Sequence, residues 1–422
     1  MPLLNESQKY YDKVDIEHRK KHGQYFTEDK VKSIALSKVD LFDGCKILEN
    51  SCGTGEFIHS MLEINPSIHI DAYDIEPRLV SSCQKTFPSV NTQCKNFLEL
   101  IHRPEYDYVI GNPPYFEYLE KDMSTTIAQN FKSIFKGKPN IYALFIKAGI
   151  DCLKPSGKLV YVVPTSMNNG AYFQKLRDYI VDTCDIEDIR IFGDSEFQGA
   201  QQNVMILVLK RLKDDQKNNG KFVFKKGTIT VFSQFVQQLE DRFEDGKTLE
   251  ELKFKVMTGN LVWNQNKEYM SRDNTKDLLV WSCNIVDNKF VPDVDKLNQT
   301  RQEGEIEKTS HQKGQYVSVP KGDNIFKPKL LKGDCIIVKR TTGSGAKATI
   351  SAAILKKDQY YVENHVNYIV KEKDCEYSLE SLHKELVKKE TTRFAQMLTG
   401  NTQISKTELQ KIIPFELEKE GP

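Results

Sequence analysis

Between Cys45 and Leu212 the chain alternates short β-rich runs with amphipathic stretches of helical period. That alternation limits the fold more than any other feature of its 422 residues. The runs are Lys46–Glu49, His69–Tyr73, Asn91–Cys94, Tyr106–Ile110, Lys158–Val163, Ile186–Phe192 and Asn203–Leu209. Helical candidates lie at Glu56–Glu63, Arg78–Thr86, Ile141–Leu153 and Tyr172–Thr183. Such alternation predicts an α/β fold, a seven-stranded parallel sheet covered by helices on both faces. No helix is evident between the last two runs, which leaves an antiparallel pairing open for them. Residues 1–30 are polar and read as a loop-rich arm. The charged stretch Arg211–Lys221 reads as an exposed turn or a boundary. Beyond about Asp245 the alternation stops, and short β-like pieces sit among Gly, Asn and Lys. We therefore expect two domains, 1–240 and 241–422.

Charge does not select a partner, because 60 lysines and arginines face 59 acidic residues. A nucleic-acid binder with this balance must gather its cations on one face. The nine cysteines form no C-x-x-C pair and no Cys/His cluster at zinc spacing, so reduced thiols are expected rather than disulfides or a metal site. The polar stretch Met1–Lys21 carries no secretory signal, and no apolar run approaches the ~20 residues needed to span a bilayer. The expectation is a soluble, cytoplasmic protein.

The segment Lys46-Ile-Leu-Glu-Asn-Ser-Cys-Gly-Thr-Gly-Glu-Phe57 runs from a strand through a glycine loop towards a helix. Gly53 and Gly55 remove side chains where a ligand must approach the backbone. About twenty residues further on, Tyr73-Asp74-Ile75-Glu76-Pro77 ends the next strand on an acid. A carboxylate there can accept both hydroxyl protons of a ribose. Ile75 is placed to pack on an adenine ring. A dinucleotide-binding enzyme stays open at this point, although the glycine spacing is not G-x-G-x-x-G.

Asn112-Pro113-Pro114-Tyr115 follows the strand that ends at Gly111. Two prolines in succession cannot donate backbone hydrogen bonds, so the chain must leave the sheet here. This tetrapeptide resembles the mark of the gamma class of amino-methylating DNA methyltransferases. Further segments resemble that family's motifs in its order: Gly23-Gln-Tyr-Phe-Thr27, Leu48 to Gly55, Asn140 to Phe145, Leu159 to Thr165, and Gly193 to Gly199 with Phe197. The resemblance is close over residues 20–212 and loose beyond. It implies a Rossmann-like S-adenosylmethionine methyltransferase sheet followed by a mixed α+β target-recognition domain. It implies a cofactor pocket of Tyr25, Phe26, Thr27, Glu49, Ser51, Gly53, Gly55, Asp74, Ile75, Asn96, Phe97 and Asn112. Asn96 stands where the family usually has aspartate.

The residue types suit the chemistry. The N6 amine of adenine is a poor nucleophile because its lone pair is delocalised into the ring. The side-chain oxygen of Asn112 and the carbonyl of Pro113 can accept its two hydrogens, which favours a more tetrahedral nitrogen and helps carry its developing charge. Pro113 and Pro114 fix φ and hold that carbonyl in place. A base must leave the duplex stack to react, at a cost of a few kcal/mol. Stacking on an aromatic ring returns about 1–3 kcal/mol, a role open to Tyr115 and Phe197.

From Lys308 to Lys347 nine lysines and arginines face two acids, a local excess that suits phosphates. Lys339-Arg340-Thr341-Thr342-Gly343-Ser344-Gly345-Ala346-Lys347 is the expected contact loop. Its hydroxyls can reach phosphates, and Arg340 can read a guanine edge. Lys339-Arg-Thr-Thr-Gly-Ser-Gly345 and Gly400 to Leu409 resemble parts of the family's recognition domains. Trp263 and Trp281 are expected in cores. No nuclease segment stands out, so the expectation is a stand-alone, monomeric methyltransferase acting on double-stranded DNA, with any cognate restriction endonuclease a separate protein. Rival readings are N4-cytosine methylation, protein-glutamine or RNA-adenine methylation by the same motif, and a non-catalytic DNA-binding subunit.

Overall fold

The computed structural model describes residues 27–135, 139–192, 204–227, 229–292, 314–340, 349–399 and 404–418. The chain divides into two compact units, Met1–Val236 and Gln237–Pro422. In the first, strands β1 (Lys46–Glu49), β2 (His69–Asp74), β3 (Asn91–Cys94), β4 (Tyr106–Gly111), β5 (Leu153–Pro164), β6 (Cys184–Phe192) and β7 (Val204–Arg211) form one sheet. Their order is β3-β2-β1-β4-β5-β7-β6. The first five strands are parallel, and β7 runs antiparallel to both β5 and β6. The pairing left open by the sequence is thus antiparallel. Eleven positions, 193–203, separate β6 from β7, and the two strands pair antiparallel along their length.

Alternation along each strand sends neighbouring side chains to opposite faces. On β5, Leu159, Tyr161 and Val163 enter one core, while Val160 and Val162 enter the other. On β7, Met205, Leu207 and Leu209 oppose Val204, Ile206 and Val208 in the same way. Both faces are covered, which is why these strands read as continuous apolar runs. One face carries helices α1 (Asp29–Leu36), α2 (Glu56–Ile64) and α3 (Pro77–Thr86). The other carries α4 (Thr125–Phe131), α5 (Ile141–Cys152) and α6 (Gln174–Thr183). Helix α5 is buried almost all round, with ten of its twelve residues out of solvent.

Two of these helices were not anticipated. Helix α1 sits where the arm was expected to end, and α4 is a seven-residue segment opened by a Ser124 cap to the Ile127 N–H. The remaining strands and helices lie within a few residues of their expected bounds; the largest extension is the start of β5 at Leu153.

The second unit is α+β. Among its described residues an antiparallel four-stranded sheet is ordered Phe254–Thr258, Val366–Lys371, Cys335–Lys339, Ala352–Leu355. A mixed five-stranded sheet is built on Asp277–Val280 and Gln359–Val362. Helices follow at Leu379–Leu386, Lys389–Thr399 and Lys406–Lys411. Trp281 is 4% exposed, and its indole donates to the Gly314 carbonyl at 3.0 Å; Trp263 is half-buried beside it. No helix among the described residues is long and apolar enough to cross a membrane.

Candidate active site

In the first unit the strand order reverses between β1 and β4. Open α/β sheets bind ligands outside the carboxyl ends of the strands at such a switch point. A cavity of about 290 Å³ lies here, lined from the ends of β1 to β4 and from Thr27. The loop after β1 enters α2 through Gly53 and Gly55, both in the left-handed region at φ 55° and 88°. Gly53 lines the cavity and Gly55 does not. A Cβ on Gly55 would stand 2.6 Å from the Phe87 ring, so this glycine serves the turn and its packing rather than touching a ligand.

Asp74 organises that loop. One carboxylate oxygen accepts the Gly53 N–H at 2.9 Å and the other the Glu76 N–H at 2.9 Å. Burial pushes this carboxyl above the usual range, while the two backbone donors favour its ionised form. Each oxygen keeps a lone pair for a ribose hydroxyl. Asn96 turns inward to cap the short turn Phe97–Glu99 through the Leu98 N–H at 3.3 Å. Phe97 is held between Tyr73 and His102, with ring centroids at 5.1 and 4.9 Å. Ile75 is 69% exposed at the rim of the cavity.

Glu49 is the most telling group. It is 2% exposed, and its Oε2 is buried without a hydrogen-bond partner. Burial drives its carboxyl well above the ordinary range. A buried orphan carboxylate is costly unless a cation meets it. The ammonium of S-adenosylmethionine is such a cation, so the donor set fits that cofactor. A nearby buried ion pair, Lys32 to Glu56 at 2.6 Å, ties α1 to the first turn of α2. It thereby carries Thr27 to the cavity wall.

Asn112 leaves the end of β4 with its carboxamide fixed on both sides. Its nitrogen donates to Thr27 Oγ1 at 3.0 Å, and its oxygen accepts the Tyr115 hydroxyl. The same hydroxyl lies 2.6 Å from the Val162 carbonyl. The one phenolic proton is thus shared between two acceptors, and a carboxamide oxygen carries two lone pairs. Pro113 is buried and Pro114 lines the cavity. The Tyr115 ring meets Tyr142 edge-on at 6.0 Å.

Of the expected pocket residues, Thr27, Glu49, Ser51, Gly53, Asp74, Ile75, Asn96, Phe97 and Asn112 all line this one cavity. Tyr25, Phe26 and Phe197 lie outside the described residues, as do Thr341, Thr342, Ser344 and Lys347. In the second unit Lys339 ends a strand, and the Arg340 guanidinium donates to the Asn364 carbonyl at 3.2 Å. Sequence reasoning missed the far wall, made by Phe116, Tyr118, Ile141 and Phe145. Two signals pointed to it: the aromatics Phe116 and Tyr118 just after Tyr115, and the Asn140 to Phe145 motif, which holds Ile141 and Phe145.

A seven-stranded sheet in this order, with an acid-lined cavity at its switch point and a positioned Asn-Pro-Pro-Tyr turn, defines an S-adenosylmethionine-dependent methyltransferase. Residues 49–197 match the Eco57I restriction-modification methylase family. The modification methylase CviBIII of Paramecium bursaria Chlorella virus NC1A is 23% identical over 94% of this chain and 95% of its own length. The type II methyltransferase M.AccI of Acinetobacter calcoaceticus is 27% identical over 47% of this chain and 38% of its own. The crystal structure of the type IIG restriction endonuclease BpuSI covers 96% of this chain with 58% of its own, at 11% identity and a TM-score of 0.42. In sequence the chain is similar to restriction-modification methylases.

The orphan carboxylate yields a prediction. Glu49→Gln should weaken S-adenosylmethionine binding about 10- to 100-fold by calorimetry, the loss of one charge-assisted hydrogen bond. A raised carboxyl pKa means the ligand-free fold keeps that proton above the ordinary carboxylate range and loses stability as pH rises through the raised pKa. A bound ammonium favours the ionised form. Thermal stabilisation by the cofactor should therefore grow as pH rises from the carboxylate range towards neutrality, and Glu49→Gln should flatten that dependence. An unchanged pH profile in the variant would remove Glu49 from the ammonium site.

Proposed function

We propose that this chain is a site-specific DNA methyltransferase that moves a methyl group from S-adenosylmethionine to the N6 amine of an adenine flipped out of double-stranded DNA. The observation that carries this reading is the Asn112 carboxamide. It is held by Thr27 and Tyr115 at the end of β4, beside a cavity whose buried Glu49 suits the cofactor. The bound cofactor supplies an electrophilic sulfonium methyl. Asn112 Oδ1 and the Pro113 carbonyl accept the two amine hydrogens and localise the lone pair. The prolines keep that carbonyl in place before the base arrives. Tyr115, with Phe197, provides aromatic surface for the base. Glu49 holds the ammonium, Asp74 the ribose, and Ile75 with Phe97 the adenine of the cofactor. Asparagine at the head of the motif favours adenine over cytosine as the target, since serine more often stands there in the N4-cytosine class.

Residues 1–240 are then the catalytic domain and 241–422 the recognition domain, with Lys339 to Lys347 as one contact loop. The near-complete coverage of the modification methylase relative supports treating both parts as one machine. The test is transfer of labelled methyl to unmethylated genomic DNA, followed by nucleoside analysis. N6-methyladenine is the expected product. N4-methylcytosine would keep the substrate and replace the base, whereas label on RNA or protein alone would end the DNA reading.

A further inference from the structure

The segment Pro320–Lys332 of the second unit contains four lysines and one aspartate. Its single anion is spent internally. Asp323 accepts the Ile325 N–H at 2.6 Å and the Phe326 N–H at 3.1 Å through one oxygen, and the Tyr269 hydroxyl at 2.7 Å through the other. Phe326 is clamped between Tyr269 and Tyr361, with ring centroids at 4.7 and 5.4 Å. Lys329 is tied at its backbone N–H to the Asn260 side chain at 3.3 Å. The turn is therefore anchored on both sides of its apex, and the residue at that apex is Ile325, 78% exposed. Lys321, Lys327, Lys329 and Lys332 are all exposed around it.

An isoleucine fixed at the tip of a rigid turn gains nothing from the protein's own core. Folding holds it in water, with cations on either side and Asp323 turned inward. That pattern fits a ligand with anions at its edges and an apolar interior between them. A duplex offers both: phosphates along its backbones, and base edges, thymine methyls and stacked steps inside the grooves. We propose that the Pro320–Lys332 turn is a DNA contact, with Ile325 as an apolar tip entering a groove against the bases and its lysines on the flanking phosphates. This deepens, and rests on, the DNA reading above. The contact is separate in sequence from the Lys339 to Lys347 loop, and it adds an apolar reader to a stretch rich in lysine.

The experiment uses the full chain, as wild type, Ile325→Ala and Lys321→Ala/Lys329→Ala. It measures methyl transfer to unmethylated genomic DNA and binding to a fluorescent fragment of that DNA across a salt series. Calorimetric cofactor titration and thermal melts serve as controls. All substitutions are at exposed positions, so folding and cofactor affinity should match wild type. Ile325→Ala should lower kcat/KM for DNA about tenfold while leaving the salt dependence intact, as loss of a non-ionic contact requires. The double variant should weaken binding and reduce the slope of log K against log salt by about two. Ile325→Ala within twofold of wild type, or an unaltered salt slope in the double variant, overturns the proposal while wild-type methylation of DNA keeps the broader reading. Wild-type protein that places no methyl on DNA overturns both.

Discussion

Asn112→Ala should lower methyl transfer by about 10²–10³-fold, the usual effect of removing one preorganised polar partner from a developing charge. S-adenosylmethionine affinity should stay within about threefold. The reasoning starts from geometry. Asn112 enters the site with its amide plane already chosen, because Thr27 takes its N–H and Tyr115 approaches its oxygen. Little reorganisation is left when an amine arrives, and that is where such a group contributes to rate rather than to ground-state binding. Alanine removes the acceptor and also releases Thr27 and Tyr115, so the Pro113 carbonyl would face the amine alone. In the proposed pocket the cofactor is held by other groups, chiefly Glu49 and Asp74, which line the cavity from the ends of β1 and β2. Single-turnover transfer of labelled methyl separates the two effects, with calorimetry on the same preparation. Turnover equal to wild type would rule out the acceptor mechanism. A parallel collapse of cofactor affinity would instead make Asn112 part of the binding pocket alone.

The catalytic fold was legible for a physical reason. A sheet buried on both faces needs unbroken apolar strands, and amphipathic helices between them complete the pattern. That is what Lys158–Val163 and Ile141–Leu153 display. Helix α1 escaped notice because its Lys32 reads as a solvated residue. In the fold Lys32 is 3% exposed and paired with Glu56, a partner supplied 24 residues away. Local pattern carries no information about such a pair. The site divides in the same manner. Loop residues with unusual chemistry, Gly53, Asp74 and Asn112, announce themselves one by one, whereas Ile141 and Phe145 fall in the Asn140 to Phe145 motif but look like core residues by pattern, and only the fold places them on the cavity wall. The second unit offered least, since many of its strands are two to five residues long and pair across long stretches of chain, as Phe254–Thr258 does with Val366–Lys371.

Arg177→Ala should destabilise the catalytic unit by about 3–5 kcal/mol, because it strips the charged partner from several buried acceptors at once. Arg177 is 1% exposed. Its guanidinium donates to the carbonyls of Thr230 at 2.6 Å, Met167 at 2.7 Å and Gly170 at 2.9 Å, and to Gln174 Oε1 at 3.0 Å. Asp178 is reached only through Gln174 and Thr230, which bond it at 2.9 and 2.8 Å. Burial lowers the guanidinium pKa to about 10, so it stays charged at neutral pH and leans on carbonyl dipoles. Those dipoles belong largely to the turn after β5. Ser166 in that turn lies 3.2 Å from the Tyr142 hydroxyl, and Tyr142 stacks on Phe173 and meets Tyr115 edge-on. Arg177 is therefore a positioning residue for the aromatic wall beside Asn112. A melt of the variant should fall by roughly 10 °C. Arg177→Lys keeps the charge without the planar fork and should recover part of the stability but less of the turnover. A purely structural role would return both together, so unequal recovery in the lysine variant is the result that assigns Arg177 to the site.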